Sequence, residues 1–187
     1  MSTRLFSFMG GDTGLWRVAE MEVIVGEPLS AARRLEIASG SEIPSDPQAA
    51  WVLRGITSNE RYVVREERNQ IVAKQLDLGR PEATCAALIP IRKNDVWWAL
   101  TQDERLSIFK EQSHHTRIGL RSFPELARRL HHCRDLSEHE PFDFLTWFEY
   151  APAQEAAFNK LLAELRAIEE WKYVDREIDI RLVREEA

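Results

Sequence analysis

Cysteine is scarce: the 187-residue chain has two, Cys85 and Cys133. Neither sits in a C-x-x-C pair or at zinc-site spacing, which argues against a disulfide framework and against structural zinc. Both read as small buried hydrophobes in a reducing compartment. Positive charge is in deficit, with 25 Lys and Arg against 31 Asp and Glu and a net charge of −6. The basic footprint of a nucleic-acid binder is therefore missing. No apolar run approaches the ~20 residues that cross a bilayer, so no membrane partner is expected. The opening "MSTRLFSFMGGDTGLW" lacks the apolar block, about 7–15 residues long, of a secretion signal. A cytoplasmic protein is expected. A Ser/His/Asp set and a matched pair of carboxylates are also missing, so nucleophilic and general acid–base catalysis have no visible candidates.

What is present fits a folded globular protein: 44% hydrophobic and 30% charged residues, in a length suited to one domain or two small fused units. Six tryptophans serve either a core or a large flat ligand. "RLFSFMGG" and "GLWRVAEMEVIV", joined by "GDTG", predict a hairpin. Pro28 and Ser30 open a predicted short helix through "SAARRLEIA", and "SGSEIPSDPQ" reads as a loop. "AAWVLRGITS" and "RYVVRE" alternate like strands, and "ERNQIVAKQLDLG" is helical with Gly79 as its stop.

In the second half, "ATCAALIPIRK" reads as a strand buried on both faces. "NDVWWALTQDERLSIFKEQSHH" is a helix capped by Asn94, and "PFDFLTWFEY" is an alternating strand. "APAQEAAFNKLLAELRAIEE" is an amphipathic helix with Pro152 in its first turn, and "WKYVDREIDIRLVR" is a closing strand. "ELARRLHHCR" favours helix by composition, but the strand at Pro141–Tyr150 needs an antiparallel neighbour, so it is assigned as a strand. The second half is then βαββαβ, a ferredoxin-like unit, and the first half reads as a degraded copy. The expected fold class is α+β, a barrel built from two such units with helices outside. One domain covers 1–187, with the degraded half at about 1–82 and the second at about 83–187.

One stretch gathers unusual chemistry. "KEQSHHTRIGLRSFPELARRLHHCRDL", Lys110–Leu136, holds four of the five histidines (His114, His115, His131, His132) and five arginines. "HCRD…PFDFLTWFEY", "WW" seventeen residues before "HH", and "GITSNERYVVR" upstream resemble, in order and spacing, the chlorite dismutase family. The likeness runs from about Trp51 to the C-terminus and is closest to the short, cytoplasmic, homodimeric branch.

The resemblance implies a dimeric α+β barrel binding haem b (iron protoporphyrin IX) and converting the chlorite anion to chloride and dioxygen. The family's iron ligand is a histidine followed thirteen residues later by a distal arginine. His114 plus thirteen is Ala127, whereas His115 plus thirteen is Arg128, so His115 is the implied ligand and Arg128 the catalytic cation that retains an oxyanion. Strand alternation points Arg129 away from Arg128. The family's carboxylate acceptor for the ligand's second nitrogen falls at Glu170, with Glu169 the alternative. Gln75 corresponds to a distal glutamine able to hold Arg128. Tyr62 corresponds to a tyrosine near a haem propionate, and Trp97 and Trp98 to the tryptophan pair beside the haem. The resemblance also implies a propionate bordered by one or more of Ile91, Arg92 and Lys93. Two other activities share the architecture. A coproporphyrin-haem decarboxylase generally lacks the distal arginine, and a non-catalytic haem carrier or sensor would show a haem spectrum without chlorite turnover.

Overall fold

Strands β1 (Leu5–Gly11), β2 (Trp16–Val25), β3 (Arg34–Ser39) and β4 (Trp51–Thr57) come from the first half of the chain, β5 (Cys85–Lys93), β6 (Ala127–His132), β7 (Phe144–Tyr150) and β8 (Val174–Arg184) from the second. The computed structural model describes residues 4–40, 48–57, 65–122 and 125–185. The strands close an antiparallel barrel in the order β1-β3-β2-β8-β5-β7-β6-β4. Cut at two seams, the ring is β4-β1-β3-β2 and β8-β5-β7-β6. Each half therefore lays its strands in the same order, fourth, first, third, second, which is that of a βαββαβ unit.

Period-two alternation builds the barrel core. Leu88, Leu145, Trp147, Ile178, Ile180 and Leu182 point inward and meet Phe8, Trp16 and Leu35 from the first half. Outside, α1 (Arg65–Lys74), α2 (Asp95–Ala99), α3 (Gln102–Ser107), α4 (His115–Ser122) and α5 (Glu155–Arg166) are the described helices. α5 buries Phe158, Leu161, Leu162 and Leu165, a stripe at helical spacing. It lies against Phe148 and Tyr150 on the outer face of β7.

The second half follows its expected plan, and "ARRLHH" is strand β6 despite its helical composition. Pairing to β7 along its whole length (Ala127↔Glu149 to His132↔Phe144) outweighs intrinsic propensity. The first half departs from expectation in three ways. β1 and β2 are not a hairpin: β3 lies between them, pairing with β1 along its length and with β2 at Trp16 and Arg17. Gly14 makes this possible at φ +127, where an added Cβ would meet the Leu35 carbonyl at 2.3 Å. The helix expected after Ser30 is instead β3, because Leu35 (0% exposed) and Ile37 alternate into the barrel. No helix joins β1 to β2, so this half keeps the strand order without the first crossover helix. The strand expected at "RYVVRE" lies outside the described residues except for Arg65 and Glu66, which begin α1. That helix ends at Lys74, short of Gly79.

The helix expected from Asn94 is broken into pieces. Asn94 caps α2 as expected, accepting the Trp97 N–H at 3.0 Å. Thr101 then starts α3, with the Glu104 carboxylate accepting the Thr101 N–H at 2.8 Å. A wide π turn over Ile108–Gln112 and a left-handed His114 (φ 51) lead into α4.

Candidate functional site

The outer faces of β5, β7 and β6 form one wall of a cavity of about 1220 Å³ including its open mouth. Register sets the wall in rows: Ile91, Phe144 and His132, then Ile89, Thr146 and Leu130, then Ala87, Phe148 and Arg128. Helices supply the opposite side through Ile71 of α1, His115 and Gly119 of α4, and Leu161 and Leu165 of α5. The lining is overwhelmingly apolar, so a charge inside it is screened little by water.

His114 and His115 separate at the break before α4. The positive φ of His114 turns its exposed side chain outward, where Nδ1–H donates to the Lys110 carbonyl at 3.1 Å. His115 turns into the cavity, and its ring stacks on Phe109 with centroids 4.4 Å apart. Its Nδ1 lies 2.7 Å from Glu170 Oε2. A carboxylate accepts and cannot donate, so the proton belongs on Nδ1, and the Nε2 lone pair is left for a metal.

Glu170 stands in a 3-10 turn over Glu169–Tyr173 that follows α5. Its second oxygen accepts from Lys93 Nζ at 2.9 Å, and its backbone N–H donates to Ser113 Oγ at 2.9 Å. Burial works to raise its pKa, but the attraction of His115 and Lys93 together wins and holds the carboxyl down to about 2. Lys93 is itself buried, which lowers its pKa against the opposing pull of Glu170. Its ammonium lies 4.7 Å above the Trp97 ring. Glu169 is on the surface, paired with Lys172 at 2.6 Å.

Arg128, half-buried, lines the cavity together with Leu130, while Arg129 sits exposed on the other face over the Phe6 ring at 5.0 Å. The Gln75 side-chain amide donates to the Arg128 backbone carbonyl, so its contact is with the main chain of that residue. Trp97 is on the cavity wall and almost fully buried. Trp98 is off the wall, stacked on Phe144 at 6.2 Å and covered by the Arg134 guanidinium at 4.1 Å. Tyr62 lies outside the described residues. Arg92 is paired with Asp175 at 2.8 Å, and Lys93 is under Glu170.

The structure adds residues to the site. For Lys93, already singled out with Ile91 and Arg92 beside a propionate, it adds a partner, since the ammonium is held by Glu170. His132 and His131 are both buried, His132 on the cavity wall and His131 inside the barrel between Phe6 and Phe8. Only their adjacency on a strand hints at that split. Gly119, one turn after His115, faces the cavity so openly that an added Cβ would meet nothing within 4 Å.

The donor set fits one kind of metal carrier. Among the described residues no three His, Cys, Asp or Glu side chains converge as a metal cage. An imidazole oriented by a carboxylate, in a wide and mostly apolar cavity, suits a flat macrocycle that brings its own equatorial ligands. The open face at Gly119 leaves room for it. Buried Trp97 Nε1, with no hydrogen-bond partner among the described residues, offers it a donor.

The family model described as Chlorite dismutase matches residues 29–185. A chlorite dismutase of Ideonella dechloratans is 33% identical over 128 residues, covering 65% of this chain and 40% of that protein. The chain's match thus spans about 40% of that relative's length. A dimeric chlorite dismutase of Nitrobacter winogradskyi superposes with TM-score 0.88 and 50% identity over 96% of this chain and 99% of that one. A chlorite dismutase of Candidatus Nitrospira defluvii in complex with imidazole shares the fold at TM-score 0.67 and 17% identity, over 97% of this chain and 92% of the other.

Proposed function

The chain belongs to the chlorite dismutase family, and from that premise we propose that it is a haem b enzyme converting chlorite to chloride and dioxygen. One observation carries the reading: a single apolar cavity holds the His115–Glu170–Lys93 series and the side chain of Arg128. His115 Nε2 would hold the iron, and Trp97 would lie beside the ring. Trp98 would stand near its edge. Haem, when bound, supplies the redox centre that takes and returns an oxygen atom.

The rest falls to the chain. Glu170 fixes the tautomer of His115 and gives its imidazole partial imidazolate character. Lys93 keeps that carboxylate ionised inside a low-dielectric wall. Arg128 offers a permanent cation whose planar fork suits an oxyanion, and it keeps a chlorine oxyanion from diffusing away before the reaction completes. Gln75 steadies the strand under Arg128. The apolar walls exclude water and competing donors. Chlorite has two oxygen atoms and chloride none, so dioxygen balances the equation without a co-substrate.

The test is an oxygen-electrode trace with purified, haem-loaded protein: chlorite should produce dioxygen one for one. A Soret band without oxygen release would leave a haem carrier instead. The dimeric relative of Nitrobacter winogradskyi supports a homodimer here, and sedimentation as monomer alone at micromolar concentration would remove that element. Two unpaired cysteines, Cys85 and Cys133, fit a cytoplasmic setting, which cell fractionation would check.

A further inference from the structure

Trp171 follows Glu170 directly and lines the same cavity. Its ring lies 6.2 Å from the His115 ring at an interplanar angle of 25°. The Lys93 ammonium sits 5.3 Å from its centroid. One indole therefore flanks both the imidazole and the cation that holds the imidazole's acceptor. A 3-10 turn is a loose base for such a ring, so something beyond the backbone has to fix it.

That support comes from β8. The Trp171 indole N–H donates to Glu177 Oε2 at 2.7 Å. Glu177 is fully buried, at 0% exposed. Its other oxygen accepts from Arg166 Nε at 2.8 Å, at the end of α5. Arg166 also donates to Asp179 at 3.0 Å, and Arg181 grips Asp179 through two nitrogens. Two carboxylates and two guanidiniums thus interlock under α5. Arg166 alone would satisfy Glu177 as a counter-ion. Its second oxygen is turned instead to the one polar atom of a ring on the cavity wall, where a charge-assisted bond is strong and directional.

We propose that Glu177 is a positioning residue. By fixing the Trp171 indole it keeps Lys93 seated on Glu170, and so sets how strongly His115 binds a haem iron. This rests on the haem reading of the cavity. If Trp171 tilts, the space over Lys93 opens, the ammonium draws back, and Glu170 turns more of its charge onto the Nδ1–H of His115. The iron–imidazole bond then stiffens.

Two readouts separate this proposal from the haem reading beneath it. In cofactor-free protein, NMR should find the Trp171 indole N–H exchanging about tenfold faster in Glu177→Gln than in wild type, the loss expected for a charge-assisted bond. In haem-loaded ferrous protein, Glu177→Gln and Trp171→Phe should each raise the iron–histidine stretching frequency, and the double variant should go no further. Unchanged indole exchange, or shifts that simply add, would overturn the proposal. If Glu177→Gln does not fold, Trp171→Phe decides, since it leaves every charged partner in place: a wild-type frequency there also overturns it. A wild-type spectrum indifferent to His115→Ala would sink the haem reading, whereas the indole exchange result would still report on Glu177.

Discussion

His114 and His115 are neighbours with opposite surroundings, one turned to solvent by a left-handed backbone and one stacked in a cavity beside a carboxylate. His115→Ala should therefore lose most bound haem, while His114→Ala keeps it with an unchanged Soret band; haem titration followed by gel filtration would check this. Glu170 and Glu169 are separated in the same way. Glu170→Gln should raise the haem midpoint potential by weakening the imidazole's acceptor, and Glu169→Gln, at a surface pair with Lys172, should leave it unchanged in a redox titration. Spacing to Arg128 and the resemblance single out, in each pair, the member that the structure places on the cavity wall. Lys93, Trp171 and Glu177 were not legible as a set. They converge from β5, a 3-10 turn and β8, and no sequence window contains all three.

At the level of elements, α4 carries a built-in conflict. Gly119 is mid-helix, where glycine costs about 1 kcal/mol relative to alanine, yet a side chain there would meet nothing. Gly119→Leu should therefore raise the thermal stability of the cofactor-free protein by up to ~1 kcal/mol while sharply weakening haem binding. Calorimetry and haem titration on the same sample would show the two moving in opposite directions. Strand β6 shows how an element can be read against its own composition, since the demand of β7 for a partner was a better guide than the propensities of Leu, Ala and Arg. The same reasoning failed at β1 and β2. A good turn sequence joins them, but β3 arrives from farther along the chain with Leu35 and Ile37 to bury, and it displaces the local hairpin. After Asn94 the apolar spacing of one long helix hides a break, because the second cap at Thr101 and Glu104 restarts the helix.

For the whole molecule, two buried groups tie stability to acid pH. His131 is buried in the barrel, where burial outweighs the Leu145 carbonyl and, with Arg129 and His132 nearby, lowers its pKa from 6.5 to about 4. The unfolded chain binds that proton first, so stability is full above pH 6.5 and falls as pH drops toward 4, by about 3 kcal/mol. Glu170, lowered from 4.5 to about 2, adds a second loss that starts below pH 4.5. Urea melts of His131→Leu should lose clearly less stability than wild type between pH 6.5 and 4.5. The ring's overlaps also differ in length. Among the described residues β2 pairs with β8 from Trp16 to Val25 but with β3 only at Trp16 and Arg17, whereas β5 pairs with β7 and β8 along both edges. A belt gives way where its overlap is short. Deuterium should therefore enter β2 well before β5, and equal uptake in the two strands would refute this. The strand that holds longest carries Lys93 at its end, so the ring can loosen on its first-half side while the cavity keeps its wall.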